Sequence, residues 1–256
     1  MAYSRLPLKD PRTIAREIPG ICNILFPQLT AATVTYFNRG AQSFDKIEAV
    51  PDELIQASEL QHAMLFEIAY ARGEQLLNGV VEADWSGCLK VAVERQKNHF
   101  DAKLPDDLTK QDIKAAEHVA KNMVAMLETL QQSFSEENLV KSPEIFGFQW
   151  ISSGNGDFSM SDKLIEVKCS SRNFGSADYR QILMYWLLSY MASIEKGALE
   201  WKTGILLNPR KNRFIEVSFD DLVSATAVDK TKVEVLELFT SVVGDYASKV
   251  LSEFRL

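Results

Sequence analysis

Gly154-Asn155-Gly156-Asp157-Phe158-Ser159-Met160, then Ser161-Asp162-Lys163, then Leu164-Ile165-Glu166-Val167-Lys168-Cys169: this run reads as two short strands joined by a turn and preceded by a glycine-rich turn. In the second strand, alternation puts Leu164, Glu166 and Lys168 on one face and Ile165, Val167 and Cys169 on the other. A carboxylate and an amine therefore sit side by side on a strand that otherwise reads as buried. Burying charge is costly unless it is paired or bound to metal. A hairpin-like pairing would bring Asp157 next to Glu166, and two carboxylates held close invite a hard divalent cation, Mg²⁺ or Mn²⁺. Such a cation lowers the pKa of a bound water and offsets charge on a phosphate; Lys168 would assist that water.

Outward from this hairpin the pattern is mixed. Upstream, Thr109 caps a helix with Asp112 three residues on. An apolar stripe of Ile113, Ala116, Ala120, Met123, Leu127 and Leu130 carries that helix to about Ser133. Phe146–Ile151 reads as a further, aromatic strand, and 177–195 as a strongly apolar helix. Thr203–Leu207 and Phe214–Phe219 read as strands around the turn Asn208-Pro209-Arg210-Lys211-Asn212, and Val233–Phe254 as a helix. From residue 109 the expected order is helix, three strands, helix, two strands, helix. Residues 52–78 read as one helix; residues 1–50, punctuated by Pro7, Pro11, Pro19 and Pro27, have no clear assignment. The expected fold is α/β, a mixed central sheet flanked by helices. The expected organisation is a mainly helical N-terminal module (1–107), the core (108–222) and a C-terminal helix packed on it (223–256).

These residues carry a family resemblance. Gly156-Asp157 followed by Glu166-Val167-Lys168 resembles the GxD…(D/E)XK signature of the PD-(D/E)XK nucleases, and Gln181 with Tyr185 in the next helix resembles the QxxxY motif of the RecB-like branch. The similarity covers about residues 110–220. It implies a metal-dependent nuclease acting on DNA, in microbial defence against foreign DNA, restriction-type enzymes included, or in DNA processing. It implies metal ligation by Asp157, Glu166 and the backbone carbonyl of Val167. Lys168 would act in the cleavage step, and Gln181 and Tyr185 would line the site near the phosphate. An acidic residue from the helix before the first strand often joins the metal; Glu117 is the candidate, with Glu128 behind it, and His62 is the candidate for the upstream histidine that some RecB-like members use as a metal ligand. The alternative is a non-catalytic nucleic-acid-binding or assembly subunit that retains the nuclease fold.

Each feature also has a plainer reading. Asp157 can simply cap a turn, and Glu166 with Lys168 can form a solvated strand face. Glu117 and His118 can be an ordinary polar helix face, and His62 a core histidine. Trp150, Trp186 and Trp201 can pack in the core rather than stack bases, and Cys169 reads as core. Arg172, Arg180, Arg210, Lys211 and Arg213 can grip phosphates or be plain surface charges.

Composition narrows the class. Of 256 residues, 46% are hydrophobic and 25% charged, as in ordinary globular chains. The net charge of −7 argues against a general nucleic-acid coat, yet 151–213 holds nine Lys/Arg against six Asp/Glu, as a confined phosphate site would. Three scattered cysteines exclude a four-cysteine iron–sulphur cluster within the chain and make a disulfide framework unexpected. No phosphate-binding GxxxxGK(S/T) loop is present, so an ATP-driven step would need a partner protein. With no apolar stretch long enough for a bilayer and charges and prolines at the start, the expected location is cytoplasmic, without membrane contact. A homo-oligomer is compatible with all of this.

Overall fold

The computed structural model describes residues 8–17, 20–97, 101–135 and 138–253, the last seven as backbone only. Among the described residues six helices come first: α1 (Pro11–Glu17), α2 (Ile21–Leu25), α3 (Ala31–Asn38), α4 (Asp52–Gln56), α5 (His62–Leu77) and α6 (Trp85–Gln96). A long helix, α7 (Lys110–Phe134), leads into five strand pieces: β1 (Val140–Lys141), β2 (Glu144–Ile145), β3 (Gly154–Asn155), β4 (Phe158–Met160) and β5 (Lys163–Val167). Then come α8 (Ser176–Lys196), β6 (Thr203–Asn208), β7 (Arg213–Ser218), α9 (Phe219–Thr226) and α10 (Lys232–Glu253).

The main sheet has the order β1-β4-β5-β6-β7, and β2 pairs with β3 in a small ladder of its own. Among the described strands only β5 and β6 are parallel; every other strand pair is antiparallel. The parallel pair needs a long crossover, which α8 supplies. The protein is thus mixed α/β, a five-stranded mixed sheet flanked by helices, as its patterning led one to expect.

Period-2 alternation sorts the sheet residues onto two faces. Phe158, Met160, Ile165, Val167, Ile205 and Leu207 form one apolar cluster with Met123, Met126, Leu127 and Leu130 of α7. Leu164, Leu206, Ile215 and Val217 join the cluster built on α8, including Ile182, Leu183 and Trp186. α8 is apolar almost all round because it is covered all round: Ile14 of α1 and Phe239 of α10 belong to the same cluster. The N-terminal half of α7 packs on α5 and α6 through Ala115, Ala116 and Val119 against Met64, Leu65, Ile68 and Ala92. These clusters run across the expected boundaries at 107/108 and 222/223, so residues before and after each boundary share one core.

Several local expectations are corrected. The single helix expected over 52–78 is two, because the chain between them reaches over to α7. Asp112 accepts from the Ser58 hydroxyl (2.6 Å) and the Glu59 amide (2.9 Å) while also closing the capping box with Thr109. The segment Phe146–Ile151 is a knuckle rather than a strand. Gln149 has a left-handed φ of 52°, and Phe148 and Ile151 bond to each other across it. The Trp150 indole donates to Val243 O at 2.9 Å and stacks on Tyr246, so this aromatic run anchors α10. The first strand is instead β1, too short to show a period. The expected last strand ends one residue earlier, where Ser218 caps α9 by accepting from the Asp221 amide.

Candidate active site

Ser161, at φ 48°, turns the chain between β4 and β5. The pairing that follows sets Phe158 opposite Ile165; extending that register by one residue sets Asp157 opposite Glu166. Directly opposed residues project to the same face, so the hairpin delivers both carboxylates to the α8 side. The Asp157 carboxylate is fixed there by the Val167 amide, which donates to Oδ2 at 2.7 Å.

Glu166 is 4% exposed. Its Oε1 accepts from Lys168 Nζ at 2.9 Å and from the Gln181 side-chain amide; its Oε2 is buried and has no hydrogen-bond partner among the described residues. Gln181 also accepts from Lys168 Nζ at 3.0 Å and donates to the Tyr185 hydroxyl at 3.2 Å. Gln181 and Tyr185 reach one spot because residues four apart share a helix face. Thus Asp157, Glu166, Val167, Lys168, Gln181 and Tyr185 are brought together.

The electrostatics are strained in one direction. Burial, and then the Glu166 charge, push the Asp157 carboxyl well above its ordinary value, against the pull of Lys168, the Val167 amide and Arg12. Burial and the charge of Glu166 likewise raise the Tyr185 phenol, so it stays a neutral hydrogen-bonding group. A buried unpaired carboxylate oxygen costs about 1–3 kcal/mol or more. A cation between the two carboxylates would relieve that cost.

Asp157, Glu166 and Lys168 line a cavity of about 460 Å³, together with His62, Glu67 and Arg172. Glu117 is not brought there. Its carboxylate is held by the buried Arg72 (2.8 Å) and by Lys121 (3.2 Å), which hold its pKa down against the opposing effect of burial. Arg72 also donates to Val80 O and Val81 O, so this pair ties down the α5–α6 turn. The carboxylate that does reach the cavity from an upstream helix is Glu67 of α5, 8% exposed, bonded to Arg95 (3.4 Å) and Gln96 (3.3 Å). Its signal in the sequence was a lone charge inside the apolar run Met64–Ala71. His62 is an exposed cavity-lining residue rather than a core histidine. Cys169 also lines the cavity and is half-buried; burial pushes its thiol up to about 12 despite Arg210 nearby.

Of the five basic residues considered as a phosphate grip, only Arg172 reaches the cavity. Arg180 bonds Asn23, Arg213 bonds Asn173, and Arg210 and Lys211 pair with Asp52. Trp150, Trp186 and Trp201 are buried in the core.

Among the described residues no three His, Cys, Asp or Glu side chains stand together as a ready metal cluster. Mg²⁺ does not require one, since it is commonly held by one or two carboxylates with waters and substrate oxygens completing the shell. The pair Asp157/Glu166, with an orphaned buried oxygen, fits that mode. No helix of the described residues is long and apolar enough to cross a membrane. No family model, curated protein or solved structure matches the chain.

Proposed function

We propose that the protein is a metal-dependent phosphodiester hydrolase acting on nucleic acid, DNA by preference, built on a PD-(D/E)XK-like core. The observation that carries this reading is the buried, unpartnered Oε2 of Glu166 beside the Asp157 carboxylate, on a strand that also presents Lys168. Buried polar atoms are usually paired within a fold, and a cation would give this oxygen the partner it lacks.

In this reading Asp157, Glu166 and the Val167 carbonyl hold Mg²⁺ or Mn²⁺. The bound cation supplies a water of lowered pKa and neutralises charge building on the phosphate. Gln181 holds both Glu166 and Lys168, fixing the angle between carboxylate and amine. Lys168, tethered at 2.9 Å from Glu166, positions the attacking water and offsets phosphate charge. Tyr185, kept neutral, supports the Gln181 amide. Glu67 and His62 stand at the cavity wall, where they can accept hydrogen bonds from water.

The test is cleavage of linear, circular and single-stranded DNA and of RNA with Mg²⁺, Mn²⁺ or EDTA, beside Glu166→Ala and Lys168→Ala variants. Metal-dependent cutting that both variants lose is the expected result. Wild-type protein that neither cuts any substrate nor binds Mn²⁺ by calorimetry overturns the reading. Mn²⁺ binding without cutting would favour the non-catalytic subunit.

A further inference from the structure

Two cavities adjoin over Asp157. The first, about 460 Å³, holds Glu166 and Lys168. The second, about 330 Å³, extends past Ser142 and Asn155. They share Arg12, Phe66, Glu67, Gln96 and Asp157. The candidate active site is therefore a groove that passes over Asp157, lined by residues of α1 and α5.

We propose that this groove receives one strand of a polynucleotide rather than a duplex, with Arg12 holding a backbone phosphate beside Asp157 and Phe66 stacking a base. This rests on the nuclease reading for the chemistry, but not for the binding. Three observations carry it. The first is charge. Among the described residues the groove cations Arg16, Arg95 and Lys168 are paired with Asp178, Glu67 and Glu166, whereas Arg12 and Arg172 have no carboxylate within 4.0 Å. In a chain of net charge −7, two uncommitted guanidiniums at one groove mark a place for an anion. Arg12 is exposed and yet close enough to act on the charge of Asp157.

The second is chemistry of a different kind. Phe66 is a half-buried aromatic lining both cavities, and its ring meets Tyr70 edge-on at 5.7 Å. A cationic track with an interleaved aromatic is the usual recipe for single strands, because every base has a stacking face. The third is size. Volumes of this order suit small ligands, which means roughly one or two nucleotides.

The test uses the full chain carrying Glu166→Gln, in EDTA, so that neither metal nor cleavage enters. Fluorescence polarisation is read with labelled single-stranded DNA, single-stranded RNA and blunt duplex DNA of one sequence. Either single strand is expected to bind at least about tenfold more tightly than the duplex, and the stronger of the two identifies the polymer. Arg12→Ala should weaken that binding about fivefold or more and reduce the salt slope by about one; Phe66→Leu should weaken it with the slope unchanged. Melting curves of the variants confirm that they fold. Duplex binding equal to or tighter than single-strand binding overturns the proposal. So does an Arg12→Ala variant with unchanged affinity and slope. Single-strand binding that survives while wild-type protein cuts nothing would sink the nuclease reading and leave this one standing.

Discussion

Two carboxylates in this protein, Asp112 buried and Asp157 half-buried, have opposite fates. Asp112, 2% exposed at the start of α7, accepts four hydrogen bonds: from the Ser58 hydroxyl, the Glu59 amide, and the Thr109 amide and hydroxyl. Burial pushes its pKa up, but the donors from Ser58, Thr109 and Glu59 outweigh it and hold the carboxyl below the ordinary value. At Asp157 burial and the neighbouring Glu166 win, and the carboxyl is raised. The fold has satisfied the acid it uses to join two helices and left underserved the pair it holds in a groove. Perturbed acids of the second kind concentrate at functional sites.

That contrast can be broken most sharply by cleavage. Asp157→Asn should lower metal-dependent cutting by roughly 10³-fold, whereas Asp112→Ala should leave the rate per folded molecule unchanged. Equal losses in both would mean that Asp157 matters only for folding. Stability should run the other way. Asp112→Ala strands the Ser58, Glu59 and Thr109 donors at a helix start, a cost of about 3 kcal/mol. A midpoint lowered by roughly 6–12 °C is therefore expected by calorimetry.

Removing Gln181 should have an intermediate effect. Gln181→Leu keeps the volume but frees Glu166 and Lys168, so Mn²⁺ affinity and cleavage should each fall about 10–100-fold. An unaltered melting temperature would separate this positioning role from a structural one.

The smallest effect is one of pH. A depressed carboxyl, like Asp112, stabilises above the ordinary value of 3.8 and loses that stability as pH falls through its folded pKa. A raised one, like Asp157, does the reverse: its cost grows as pH rises from 3.8 towards its folded pKa. In EDTA, the melting temperature of Asp157→Asn should therefore gain on wild type as pH is raised from 4 to 8. Added Mg²⁺ should stabilise wild type alone. Parallel curves in EDTA would show that Asp157 carries no such penalty.

The candidate site was legible where its geometry is local. Glu166 and Lys168 are two apart on a strand, Gln181 and Tyr185 four apart on a helix, and Asp157 lies one register step beyond the Phe158–Ile165 pair of a hairpin that turns at Ser161. Glu117 was misassigned and Glu67 overlooked for a single reason. Both are acids on upstream helices, and only packing decides which helix turns an acid to the groove and which spends one on Arg72. Arg12 was missed because α1 lies in a proline-punctuated stretch with too few residues to show a period.

The sequence by itself determined the alternating strand that carries Glu166 and Lys168, the capped helix at Thr109, the apolar helix that must be buried, and hence a mixed sheet flanked by helices. Those follow from hydrogen-bond geometry within a few residues, where spacing alone sets direction. Only the tertiary structure decided that α1 and α5 line the groove, that the tryptophans are core, and that one oxygen of Glu166 is left without a partner. Those depend on contacts between residues tens to more than a hundred positions apart, fixed by how apolar faces fill a shared core rather than by any local preference.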